Sequence, residues 1–137
     1  MQNIRAAIAT DDGSTCIERH FGDARYYYLY DIDENGSHFV AKLENTVDIE
    51  EIESAHGDPQ KASGIGTLLK QQQVNTAVSK VFGPNIKRIQ KQYACILVST
   101  NAISVVLDLL VQEQARIRQE IEKGELRLPV DLRKLSK

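Results

Sequence analysis

Apolar and polar positions follow two different rhythms along this chain, a two-residue alternation in the first third and a mixture of short apolar runs and helical stripes afterwards. From Asn3 to Thr10, Ile4, Ala6 and Ile8 alternate with small residues, the pattern of a strand buried on both faces, and Asp11-Asp12-Gly13-Ser14 ends it. The aromatic run Tyr26-Tyr27-Tyr28-Leu29-Tyr30 has high strand propensity, and Asn35-Gly36 supplies the two positive-φ positions of a tight hairpin whose returning strand carries Phe39, Ala41 and Leu43. Helical signals begin at Asp58-Pro59, where Asp58 can cap free backbone donors and Pro59 suits the first helical position, and Ile65, Leu68 and Leu69 form the apolar stripe. A short strand over 76–81, a break at Gly83-Pro84, a brief helix with Ile86 and Ile89 inward, and an apolar strand from Ala94 to Ser99 follow. Ile103, Val106, Leu107, Leu110, Val111, Ile117 and Ile121 then recur at three- and four-residue steps, predicting one long amphipathic helix that Gly124 stops.

This order predicts an α/β fold built on a mixed five-stranded sheet, three antiparallel strands followed by strand-helix units, with the late strands parallel to the first through right-handed crossovers. Residues 1–124 read as one domain. Residues 125–137 read as a polar C-terminal tail in which Leu126, Leu128, Val130 and Leu132 alternate, a docking arm or an edge strand. In such a sheet ligands sit beyond the carboxyl ends of the parallel strands. Those exits are Thr10 to Arg25, Phe82 to Asn85 and Ser99 to Ala102, and the loop from Thr46 to Pro59 leaves the third strand on the same side. His20 and His56 can therefore converge although far apart in sequence.

Composition narrows the partners. With 137 residues, a net charge of -2 and both signs spread along the chain, there is no electrostatic footprint for a polyanion, and no nucleic-acid partner is expected. The first residues lack a basic region followed by an apolar stretch, and no window has the apolar length to cross a bilayer, so the expectation is a cytoplasmic protein without a membrane partner. Cys16 and Cys95 lack Cys-x-x-Cys spacing, and a disulfide is not expected in a reducing compartment.

The chemistry concentrates in the loops. His20-Phe21-Gly22 places an imidazole and a glycine just after the first strand, and His56-Gly57 and Gly83-Pro84 stand at similar exits. A neutral imidazole is a common ligand for iron and related transition metals, whereas the structural alternative for His20 is a hydrogen bond that orders its loop. Phe21 fills the core edge and Gly22 allows a tight backbone. His56, before Gly57 and a capped helix, stands where backbone donors favour an anion, or is a solvated surface histidine. The helix starts after Gly83-Pro84 and Thr100-Asn101 can add donors, or be ordinary caps. Cys16, four residues before His20, is a soft second ligand or an incidental thiol, and Cys95 is a small core residue. His38 is expected to be solvated. Asp11, Asp12 and Asp23 either orient the loop histidines and backbone donors or serve turns and caps.

The words Ile8-Ala9-Thr10-Asp11-Asp12-Gly13, His20-Phe21-Gly22-Asp23-Ala24-Arg25-Tyr26-Tyr27, Tyr30-Asp31, His56-Gly57 and Phe82-Gly83-Pro84-Asn85 resemble the dinitrogenase iron-molybdenum cofactor biosynthesis family, over roughly Ile4 to Lys123. The resemblance implies a ribonuclease H-like fold and a protein that binds, stores or delivers the iron-molybdenum cofactor or a related metal-sulfur cluster without catalysing a reaction. It nominates His20 as the cluster ligand. The placement of the loops at one sheet end adds Phe21, Gly22, His56, Gly57, Gly83 and Pro84 as the lining, and Cys16 is a second candidate ligand from its place in the same loop alone, since the family motif does not require a cysteine there. It implies cluster donors or acceptors as partners, and a monomer or weak homodimer. Two departures stand out. Family members usually carry a small, glycine-rich stretch before Gly-Pro and Arg-Ala after it, where this chain has Ser79-Lys80-Val81-Phe82 and Asn85-Ile86. The tail from Glu125 onward is not part of the usual domain. A metal-dependent nuclease or phosphotransferase needs convergent carboxylates, and Thr76 to Val81 offers none. A metal-free interaction or regulatory module is the other alternative.

Overall fold

In the computed structural model, residues 3–45 and 69–135 are described. The sheet begins with β1 (Ile4–Thr10), β2 (Tyr26–Asp33) and β3 (Gly36–Glu44), and continues with β4 (Thr76–Ser79), β5 (Ala94–Leu97) and β6 (Val130–Asp131). It has six strands in the order β3-β2-β1-β4-β5-β6. β1 and β2 pair antiparallel, as do β2 and β3, while β4, β5 and β6 add in parallel to β1. This is the expected mixed α/β sheet, with one strand more than expected. The additional strand comes from the segment read as a polar tail: Val130 and Leu132 are buried, and Leu132 N–H donates to Leu97 O at 2.9 Å. Alternation in that segment signalled an edge strand, but only its second half is inward, since Leu126 and Leu128 are exposed.

Helices cover the sheet because β1 has two apolar faces. Ile4, Ala6 and Ile8 pack with Val106, Leu109, Leu110, Ile117 and Ile121, from α2 (Ile103–Gln112) and α3 (Gln114–Glu122). Ala7 and Ala9 face the opposite layer, with Phe21, Tyr27, Leu29, Leu69, Val74 and Tyr93, and with Ile86 and Ile89 of the one-turn α1 (Ile86–Ile89) against it. Leu110 and Ile117 are fully buried, each contributing about 1.5–3 kcal/mol of apolar burial. The long helix predicted to run to Gly124 is broken at Glu113. Gln114 Nε2 donates to Val111 O at 2.9 Å and to Asp33 O at 3.2 Å, so a side chain takes the carbonyl that the Ala115 amide would use in a continuous helix.

The hairpin is present, with its turn one residue earlier than read. Asp33 pairs with Gly36, Glu34 and Asn35 span the turn, and only Gly36 of the Asn-Gly pair has positive φ (122°). Asn35 N–H instead donates to Asp33 Oδ1 at 2.8 Å, an Asx turn that holds Asn35 out of the left-handed region. His38 is exposed and bonds Asp33 Oδ1 at 3.0 Å. The predicted helix from Asp58, and with it His56, Gly57 and the Thr46 to Pro59 loop, lies outside the described residues. Among the described residues no helix is long and apolar enough to cross a membrane.

Candidate functional site

Three of the predicted exits meet at one end of the sheet. The chain leaving β1 returns past β5, where Cys16 N–H donates to Asn101 O at 2.8 Å and Thr15 bridges Ala102. It then crosses to β4, where His20 bridges Val81 and Phe21 N–H donates to Val81 O at 2.9 Å. The loop thus continues the sheet beyond its regular strands, and those backbone bonds hold His20 without any regular element of its own.

Phe21 is the anchor. Its ring is buried, stacked on Phe82 at 5.4 Å and tilted against Tyr27 at 5.1 Å. Tyr27 donates its hydroxyl to Phe21 O at 2.8 Å, and burial pushes the phenol pKa far above its ordinary value, keeping it a donor. On the other side of the turn, Asn45 Nδ2 donates to Gly22 O at 3.1 Å and to Ala24 O at 2.8 Å. Gly22 lies inside a 3-10 turn (Phe21–Asp23) and is not among the glycines with positive φ, so the tight backbone expected there is ordinary. The positive φ of the site is at Gly83 (77°), at the start of a second 3-10 turn (Gly83–Asn85) that includes the exposed Pro84.

The His20 side chain is 48% exposed, in contrast to the buried Phe21 beside it. Its ring lies directly on Gly83: a Cβ at that position would sit 2.6 Å from Cγ and Nδ1 and 2.8 Å from Cε1 of the imidazole. Asp23 Oδ2 is 3.9 Å from Nδ1, too long for a hydrogen bond. The acidic residues at the start of the loop are spent on its own backbone and side chains. Asp12 Oδ1 accepts from the amides of Ser14 and Thr15, both at 2.8 Å, which holds its carboxyl down at about 2. Asp11 accepts from Arg19 at 2.8 and 3.0 Å and from Arg25 N–H at 3.0 Å, and its pKa is lowered chiefly by the Arg19 hydrogen bond.

The structure separates Cys16 from this arrangement. Its thiol is buried with Ile8, Val98 and Ile103, on the sheet face opposite Phe21, and burial pushes it up to about 11. A buried, protonated thiol is the wrong state for a soft ligand unless the core opens. Cys95 is a core residue, as read from its strand, with burial pushing its thiol up to about 12. The helix starts also differ from expectation. The Gly83-Pro84 start leads only into a 3-10 turn and one α turn, while Ile103 N–H at the start of α2 already donates to Ser14 O at 3.0 Å. Neither presents a free row of amides. Among the described residues, no three His, Cys, Asp or Glu side chains form a group that could hold a metal ion.

Two features were not read from the sequence. One is Gly83 as the seat of the imidazole, since a glycine before proline signals a turn and says nothing about a ring 63 positions earlier in the chain. The other is Lys80, whose Nζ lies 3.0 Å from Glu18 Oε1 and bonds Asn101 Oδ1, tying together the chains leaving β1, β4 and β5. A lone cation inside the strand read over 76–81, where family members usually carry small residues, was its signal.

The sequence model of the family described as dinitrogenase iron-molybdenum cofactor matches residues 2–113. Two solved structures of a protein from Methanocaldococcus jannaschii, described provisionally as a dinitrogenase, share the fold. The crystal structure is 20% identical, covers 83% of this chain and 93% of its own, and has a TM-score of 0.55. The NMR structure is 19% identical, covers 83% and 92%, and has a TM-score of 0.54. No curated protein matches the sequence.

Proposed function

Because the chain belongs to the dinitrogenase iron-molybdenum cofactor family, we propose that it holds an iron-molybdenum cofactor or related metal-sulfur cluster as cargo, with His20 as the principal protein ligand. The observation that carries this reading is the half-exposed His20 imidazole on a loop whose neighbouring residues are locked. A bare ion needs a closed set of protein ligands, whereas a preassembled cluster brings its own sulfides and can be held and released through one imidazole. Phe21 and Phe82 stiffen the loop, Gly22 and Pro84 shape its margin, and Val81 adds a partly exposed apolar surface beside the ring. Cys16 stays out of this ligand set.

The role is storage or transfer without catalysis. Asp11 and Asp12 are engaged by Arg19 and by backbone amides, which leaves them ordering the loop and not arranged to activate water. Cluster donors and acceptors are then the partners. Anaerobic titration of wild-type and His20→Ala protein with isolated iron-molybdenum cofactor tests the proposal. Stoichiometric uptake by the wild type and its loss in the variant are expected, and equal uptake by both overturns the ligand assignment.

A further inference from the structure

We propose that Gly83 and Asp23 are positioning residues that turn Nδ1 of the His20 ring toward the protein and so present Nε2 as the ligating atom. The inference rests on the reading of His20 as the cargo ligand and adds which nitrogen serves and what selects it. The first observation is steric. A Cβ added at Gly83 would come within 2.6–2.8 Å of Cγ, Nδ1 and Cε1, and Nε2 is not among its three nearest atoms, so Nε2 is the nitrogen on the farther side of the seat. The second is electrostatic. The Asp23 carboxylate stands 3.9 Å from Nδ1, which favours a proton on that nitrogen and leaves the Nε2 lone pair for a metal. A third observation fixes the ring's origin: Phe21 N–H is bonded to Val81 O and His20 O accepts from Asp23 N–H at 2.8 Å, so neither the loop nor the seat can slide alone.

The same glycine meets a backbone demand, since its φ of 77° is one that side-chain-bearing residues rarely adopt. Gly124 provides the matched control, with φ of 62° and no atom near the place its Cβ would occupy. Alanine strains the backbone at both positions and collides with an imidazole at only one.

The experiment compares wild type, His20→Ala, Gly83→Ala, Gly124→Ala and Asp23→Asn, each titrated anaerobically with isolated iron-molybdenum cofactor. Long-range proton-nitrogen NMR of the apo protein reads the tautomer of His20 at a pH where the ring is neutral. Gly83→Ala is expected to weaken uptake at least tenfold and to shift the His20 ring signals, while Gly124→Ala leaves both unchanged. Asp23→Asn is expected to mix the tautomers and weaken uptake by a smaller factor. Wild-type protein carrying its proton on Nε2 overturns the inference whether or not any variant folds. Loss of uptake in His20→Ala with normal uptake and ring signals in Gly83→Ala overturns the positioning claim and leaves the ligand reading standing. Undiminished uptake by His20→Ala removes the ligand reading itself.

Discussion

The loop 11–25 and the C-terminal segment 124–135 are both irregular and polar, and both are stitched to the sheet by a few backbone bonds, yet they leave different things exposed. In the loop, Ile17, Phe21 and Ala24 go inward and a histidine between them stays half outside. In the C-terminal segment, Val130 and Leu132 go inward, Glu120 accepts from Leu128 N–H at 3.0 Å, and Arg127 donates to Ile121 O and Lys91 O. What remains outside there is Leu126, Leu128 and Leu135 with the charged Glu125, Asp131, Arg133 and Lys134, Asp131 being paired with Arg133, and none of these is an imidazole or a thiol. Anchoring an irregular chain is thus common to a site and to a strap. The difference lies in which side chain the anchors surround.

Substitutions at the two sets of anchors can break that comparison. Phe21→Ala removes a buried ring from between Tyr27 and Phe82 and is expected to cost about 3–5 kcal/mol in denaturant unfolding. Cofactor uptake should fall with it, measured at a temperature where the variant is still folded. Leu132→Ala, at the fully buried anchor of the other segment, is expected to cost about 2–5 kcal/mol while uptake by the folded fraction stays normal. Loss of uptake there would mean the strap is part of the site. Tyr27→Phe leaves the Phe21 carbonyl without its hydroxyl donor, and a cost of about 1–3 kcal/mol is expected from the unpaired buried oxygen. A thermal scan measures it, and an unchanged midpoint would show that water replaces the bond. The smallest change is chemical. With its thiol at about 11, Cys16 should react with iodoacetamide at pH 8 roughly two orders of magnitude more slowly than an ordinary cysteine. Labelling at the ordinary rate would show that the core around Cys16 opens toward the loop.

Much of the fold was legible because burial imposes a period on the sequence. β1 reads as a doubly buried strand because Ile4, Ala6 and Ile8 face α2 and α3 while Ala7 and Ala9 face the other layer. The break at Glu113 was hidden because the apolar stripe continues through it, and a single Gln114 side chain decides it. The sixth strand was half visible: Leu126, Leu128, Val130 and Leu132 alternate evenly, but only the register against β5 selects the last two for burial. Within the site, His20-Phe21-Gly22 stood out as a motif. Its glycine proved ordinary in conformation, and the glycine that matters to the ring lies 63 residues away.

By itself the order of residues determined the strands, the apolar faces and the loop that carries His20, because those depend on local period, turn chemistry and solvent exclusion. Only the tertiary structure decided that Cys16 turns into the core, that Val130–Asp131 complete the sheet, and that the imidazole of His20 rests on Gly83. Each of those outcomes is set by which distant backbone a residue meets, a quantity that no local pattern encodes.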